Sequence, residues 1–179
     1  MKPDPAAVRK AADAWYDAAS ALNASTRVLK RAYIAAGMYW EGDAYEGFKL
    51  HMTEQVIYAA GENEKTLRAI GDALIETHDK IVEKYNEGHA ELSLTIKEAI
   101  AYHRDLETQN GDARSATWNA LHSYLNLWLA NSIKRRGTVY GILNKRAGEI
   151  SKLHGTIKSL KLPGAVPDGI KDSKKWKQK

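Results

Sequence analysis

The histidines are the side chains of this sequence best suited to metal or proton chemistry, and they are scattered along the chain. They are His51, His78, His89, His103, His122 and His154. His51 and Glu54 are three residues apart and would share one helix face, but a di-metal helical bundle uses the order Glu-x-x-His and needs a second such pair. We therefore predict no metal site, and we expect surface or half-buried histidines.

Motifs of covalent and phosphoryl-transfer chemistry are missing as well. The sequence has no cysteine, which excludes disulfides, cysteine-ligated zinc and a cysteine nucleophile. It contains neither a glycine-rich phosphate loop nor a nucleophile elbow. We predict no catalytic residues, no cofactor and no enzymatic activity.

Positive charge is concentrated in the last quarter of the chain. Residues 134–179 hold 13 of the 27 Lys and Arg residues but only 3 of the 22 Asp and Glu residues, which gives them +10 against −5 for residues 1–133. A solvated helix face and tail is the simplest interpretation. Nucleic-acid binding is disfavoured because Trp176 alone offers a stacking ring among the terminal lysines. Attraction of this basic segment to an anionic membrane surface is a further hypothesis.

The segment 116–133 is the best candidate for contact with a membrane or a partner. It mixes large apolar side chains with asparagines and is followed by three basic residues, a combination typical of helices that lie on a bilayer. Packing in a core is the favoured alternative. The candidate contact residues are Trp118, Trp128, Arg135 and Arg136. Runs of about 18 apolar residues are absent, so no membrane-spanning helix is predicted.

Two long amphipathic patterns organise the first half of the chain. Apolar residues recur in alternating steps of four and three from Val8 onward, which predicts a helix over about residues 5–37. Asp4 and Pro5 supply its start. A second pattern runs from Ala44 to Tyr85 and includes the polar Asn63 and Thr77; we expect Asp43 to cap it. The turn between them covers residues 38–43.

Further breaks divide the rest of the chain. Asn86-Glu87-Gly88 is a plausible helix stop, with a helix that continues through Gly88 as the alternative. Helical patterns resume over 89–108 and from Ala113 to about Leu160, with a predicted cap at Asp112. Residues 134–137 interrupt the apolar face of the last pattern, and we expect a bend or an exposed segment there. Two prolines and two glycines within 163–169 end helical structure. We thus predict a hairpin over 1–88, a helical extension over 89–161 and a disordered basic tail over 162–179.

The sequence around the first turn resembles the WXG100 family, the small helical-hairpin proteins of type VII (ESX-like) secretion. Trp40-x-Gly42 lies between two amphipathic helices, and Ala44 and Phe48 follow the turn. The resemblance covers about residues 5–90. It implies a protein that associates with itself or with another WXG100-like protein, and with a secretion ATPase. Glycine allows the tight reversal, and Trp40 offers an apolar surface that a hairpin alone only half covers.

Association is expected along the seams of the two helices. The residues predicted to carry it are Trp40, Trp15, Leu22, Leu29, Phe48, Leu67, Ile70 and Leu74. The family's export signal pairs a Tyr with an acidic residue four positions later. Here Tyr85 is followed at that spacing by His89, and Glu87 is the nearest acid, so Tyr85 and Glu87 form a degenerate candidate signal.

The complete pattern predicts an all-α protein. We expect a long antiparallel helical hairpin with a further long helix, together forming an elongated helical bundle. The N-terminal residues lack the apolar core of a signal peptide. Export through the general secretory route is therefore not expected. The WXG100 resemblance implies secretion by a signal-peptide-independent route, with a cytoplasmic location as the alternative. A membrane-active helical protein and a structural coiled-coil component are the other functional hypotheses.

Overall fold

The computed structural model describes residues 4–157 together with residues 177 and 178. Helices form almost all of this part of the chain, which confirms the predicted all-α class. The elements are helix α1 (Pro5–Ala36), strand β1 (Trp40–Glu41), helix α2 (Asp43–His51), a π-helical segment (Met52–Ile57), helix α3 (Tyr58–Thr108), helix α4 (Gly111–Thr156) and strand β2 (Lys177–Gln178).

Helix α1 begins where its sequence predicts. The Asp4 Oδ1 atom accepts a hydrogen bond of 3.0 Å from the backbone N–H of Ala6, so it satisfies an amide that the first helical turn leaves without a partner. Ala12 and Ala19, seven residues apart, are completely buried. Their small side chains allow the facing helix to approach closely, which explains how a helix with few large apolar residues packs along its length.

Helix α1 packs antiparallel to the chain that follows the first turn, within the unit that contains residues 7–75. Tyr16 contacts Asp72, and Asn23 contacts Glu64. Residue numbers therefore rise along α1 as they fall along the facing part of α3, so the two helices are antiparallel. We call residues 7–75 the first hairpin. Its core consists of small and medium apolar side chains, namely Ala12, Ala19, Ala44, Met52, Ala60, Ile70 and Ala73.

A π-helical segment separates α2 from α3 without breaking the helical course of the chain. Apolar positions in this stretch follow one another in successive steps of four, from Ala44 through Phe48 and Met52 to Val56. Each step of four overshoots an α-helical turn of 3.6 residues. A π-helical turn takes up an additional residue, which keeps these side chains on the packed side. Met52 is buried as a result.

The predicted helix stop at Gly88 is wrong, because α3 continues from Tyr58 to Thr108. Gly88 lies inside the helix and faces Arg135, and a Cβ atom at this position would lie 3.3 Å from the Arg135 Nη1 atom. The glycine thus gives room to a neighbouring side chain. Its low helix propensity costs about 1 kcal/mol, which the packing of α3 offsets.

Residues 76–147 form a second antiparallel pair from α3 and α4, which we call the second hairpin. Glu91 forms an ion pair with Arg135. Nearer the connection, the rings of Tyr102 and Tyr124 lie 6.3 Å apart, and the Thr117 hydroxyl donates to Gln109 Oε1 at 2.5 Å. These contacts join α3 and α4 at three levels along the pair.

The predicted break at residues 109–112 is confirmed, but its details differ. Helix α4 begins at Gly111, whose φ is +59°, so Asp112 lies in the first helical turn instead of capping it. Helix α4 then continues to Thr156 through residues 134–137. Lys134, Arg136 and Gly137 are exposed, as one of the two expectations for this segment has it, whereas Arg135 is half-buried and pairs with Glu91.

The predicted basic tail lies outside the described residues except for two. Lys177 and Gln178 form β2, which pairs antiparallel with β1: Trp40 is opposite Gln178, and Glu41 is opposite Lys177. The described end of the chain therefore meets the first turn.

Candidate interaction surfaces

The first turn places Trp40 and Gly42 at the end of the first hairpin. Gly42 has φ 94° and ψ 177°, a conformation that a residue with a Cβ rarely adopts. Its carbonyl oxygen accepts hydrogen bonds from the backbone N–H groups of Tyr45 (3.0 Å) and Glu46 (3.1 Å). Asp43 is the first residue of α2, and Gly42 occupies the N-cap position, so the predicted Asp43 cap is wrong. Gly42 itself is the residue that turns the chain.

An exposed apolar cluster lies beside this turn. Met38 and Tyr39 are exposed, and 40% of the Trp40 surface remains accessible, although the Trp40 backbone pairs with Gln178. Large apolar side chains exposed next to one another favour contact with a partner. The turn is the first candidate site.

Most residues of the predicted association seam are buried or half-buried within the first hairpin. Ile70 is completely buried. The half-buried members are Trp15, Leu22, Phe48, Leu67 and Leu74. Leu29 is exposed. A heptad pattern is the same whether the facing helix belongs to the same chain or to a partner. The sequence therefore does not show which of these side chains remain exposed for a partner.

The residues of the candidate export signal lie inside a continuous helix instead of following one. Tyr85 is exposed, and its ring centroid is 6.2 Å from that of His89. Glu87 accepts a hydrogen bond of 2.7 Å from Lys84 Nζ. Residues two apart on a helix do not face the same way. Tyr85 and Glu87 therefore do not share a surface here, whereas Tyr85 and His89 do.

Two polar pairs cross the first hairpin and perturb the titration of their members. The hydrogen bond to Asp72 raises the pKa of Tyr16. Hydrogen bonds from Asn23 Nδ2 (2.6 Å) and Arg68 Nε (3.0 Å) lower the pKa of Glu64. Both groups hold helices together across the hairpin.

The candidate contact residues of α4 do not share one surface. Trp128 and Arg135 are half-buried on the side that packs against α3, while Trp118 and Arg136 are exposed. The Arg136 guanidinium lies 5.6 Å from the centre of the Tyr140 ring. The helical repeat of α4 thus splits the predicted set into a packed pair and an exposed pair.

An apolar surface runs along one side of the second hairpin. Its members are exposed, and each lies beside the residues of its own helix that face the other helix of the pair. We call them the apolar flank: Leu92, Ile96 and Ile100 of α3, and Trp118, Leu125, Leu129 and Ile133 of α4. A groove lined by Ile96, Ile100 and His103 continues into one lined by His103 and Trp118, so the two helices contribute to the same side.

The described residues hold neither a metal-binding cluster nor a membrane-spanning helix. Within 4–157 and 177–178, no three His, Asp or Glu side chains cluster closely enough to hold a metal ion. Among the described helices, none combines the length and apolar character needed to cross a membrane.

Comparison of the chain with models of protein families, with curated proteins and with solved structures finds no match.

Proposed function

We propose that the protein is a non-enzymatic helical component of a type VII (ESX-like) secretion system, exported as a substrate or as the helical carrier of one. The observation that carries the proposal is the location of Trp40-x-Gly42 in the connection of an antiparallel helical hairpin. This is the place that the WXG100 resemblance requires. The positive φ of Gly42 gives the glycine of the motif a physical role.

The exposed cluster beside the turn supports association with a partner. Burying the remaining surface of Trp40, together with Met38 and Tyr39, would remove apolar area from water. Buried aromatic anchors of this kind supply much of the binding energy of protein interfaces. We propose that the partner is another WXG-type hairpin or a second copy of this chain, and that a secretion ATPase recognises the assembly.

The packing of the first hairpin restricts where a partner can bind. Most of the seam residues already face the other helix of the hairpin, while Leu29 is exposed. We therefore place the contact at the turn and on the Leu29 side of α1, and not along the whole seam.

The experiment compares Trp40→Ala with the native chain in co-purification with a tagged second copy of the chain and with a tagged WXG100-type hairpin protein. The proposal expects weaker association and unchanged helicity by circular dichroism. Leu127→Ala is the matched control, because it removes an exposed large apolar side chain of the second hairpin that lies outside the apolar flank. Equal co-purification of the native chain and Trp40→Ala would contradict the proposal.

A further inference from the structure

We propose that the apolar flank of the second hairpin binds the surface of an anionic lipid bilayer. The inference is independent of the turn at Trp40 and goes beyond the proposed secretion function. It starts from exposure: Trp118 is 59%, Leu129 is 51% and Ile133 is 64% accessible on one side of α4. Contiguous apolar surface of this kind marks an interaction site.

The charges around the apolar flank are those that anionic headgroups would attract. Arg114 lines the groove beside Trp118, Arg104 borders the groove beside Ile100, and Arg136 follows Ile133 on the same side of α4. Glu107 is the acid that lines both grooves, and it pairs with His103 Nδ1 at 3.6 Å. The flank therefore joins apolar surface to guanidinium groups, which hydrogen-bond well to phosphate.

The opposite flank of the second hairpin has a different character. Its charged residues include Glu87, Glu98 and Asp105 on α3 and Lys134 and Lys145 on α4. Leu94 and Leu127 are its exposed large apolar residues. Of the two flanks of the second hairpin, the apolar flank is the one that combines an extended apolar surface with an excess of basic groups, so binding should orient the hairpin with this side toward the lipid.

A second copy of the chain fits the same flank less well than a bilayer does. Two copies related by a twofold axis would present the same surface to each other, bringing Arg104, Arg114 and Arg136 of one copy close to those of the other. Like charges in an interface are unfavourable. An anionic bilayer instead satisfies the apolar and the basic groups together, with the helices lying in the plane of the interface.

Vesicle co-sedimentation of the full chain tests the proposal with a matched pair of variants. The probes are vesicles of phosphatidylcholine alone and vesicles with equal parts of phosphatidylglycerol. We expect binding to the anionic vesicles that weakens at high salt. The double variant Leu129→Ser, Ile133→Ser should bind about tenfold or more weakly, whereas Leu94→Ser, Leu127→Ser should bind as the native chain does. Equal binding by the two variants would overturn the proposal.

Because the sequence has no cysteine, a single introduced cysteine can be labelled to report on one chosen position. A polarity-sensitive dye is attached to Leu129→Cys or to Leu127→Cys, two positions of similar exposure on opposite sides of α4. We expect the dye at position 129 alone to shift to the blue when anionic vesicles are added. A blue-shifted dye at 129 without lipid, together with a doubled mass in sedimentation, would instead identify a second copy as the occupant and overturn the proposal.

Discussion

The Tyr16 hydroxyl donates a hydrogen bond of 2.5 Å to Asp72 Oδ1 across the first hairpin. This contact fixes the register of α1 against α3, and it raises the pKa of Tyr16 above its ordinary value of 10.0. The folded protein therefore holds the phenolic proton more tightly than the unfolded chain does. Its contribution to stability is fully present below about pH 10 and is lost as the pH rises through the pKa of the folded state.

Replacement of Tyr16 by Phe should lower the free energy of unfolding by about 0.5–1 kcal/mol at neutral pH, because the bond to Asp72 is lost while the ring remains. Urea unfolding at pH 7 and at pH 10.5 measures the effect. The difference between native and variant should shrink at the higher pH. Tyr39→Phe, at an exposed tyrosine, is the control and should change little at either pH.

Glu64 should govern part of the acid sensitivity of the first hairpin. Its pKa is lowered by the hydrogen bonds from Asn23 and Arg68, so its stabilising contribution is present above the ordinary value of 4.5 and is lost as the pH falls through the lower pKa of the folded state. Glu64→Gln should be less stable than the native chain at pH 7 but lose less stability on acidification. Thermal unfolding between pH 7 and pH 3 tests this, with the exposed Glu54→Gln as control. Parallel pH profiles for the native chain and Glu64→Gln would refute the assignment.

Two glycines of α3 should respond in opposite ways to alanine. A Cβ atom at Gly61 would meet no atom within 4 Å, whereas one at Gly71 would lie 3.0 Å from the ring of Tyr16. Gly61→Ala should raise the free energy of unfolding by up to about 1 kcal/mol through helix propensity. Gly71→Ala should lower it by about 1 kcal/mol, since the ring held by Asp72 must move. Denaturant unfolding of both variants decides the point; stabilisation by Gly71→Ala would contradict this packing.

Arg135 and Arg136 are neighbours in sequence with different roles in the second hairpin. Arg135 forms an ion pair with Glu91, and both side chains are half-buried, while Arg136 is exposed. Arg135→Ala should cost about 1–2 kcal/mol of stability, and Arg136→Ala should cost less than about 0.5 kcal/mol. A double-mutant cycle of Arg135→Ala with Glu91→Gln isolates the pair. Strict additivity in the cycle would exclude a direct interaction.

The sequence predicts helices and the first turn well because local chemistry specifies them. Asp4 and Pro5 set the start of α1, and Gly42 has the backbone conformation that only glycine adopts readily. The error at Gly88 has a tertiary cause. Gly88 and Arg135 lie against each other in the second hairpin, and this tertiary contact outweighs local propensity.

The interaction surfaces could be predicted only in part. The heptad pattern identifies residues that are buried somewhere, but it does not say whether the facing helix belongs to the same chain. Ile70 is therefore buried inside the first hairpin, while Leu29 is exposed. On α4 the apolar residues from Trp118 to Ile133 reach two different sides of the helix. The structure shows which of them face α3 and which belong to the apolar flank, and the sequence pattern alone does not.

The most direct test of the proposed function is the amount of protein exported by a host with an active type VII secretion system. The account predicts that Trp40→Ala and Gly42→Ala reduce the secreted fraction strongly while the cellular level and helicity of each variant are kept. Leu127→Ala, outside the apolar flank, should be exported as the native chain is. Export of Trp40→Ala at the native level, or export of the native chain that persists when the secretion ATPase is deleted, would contradict the account.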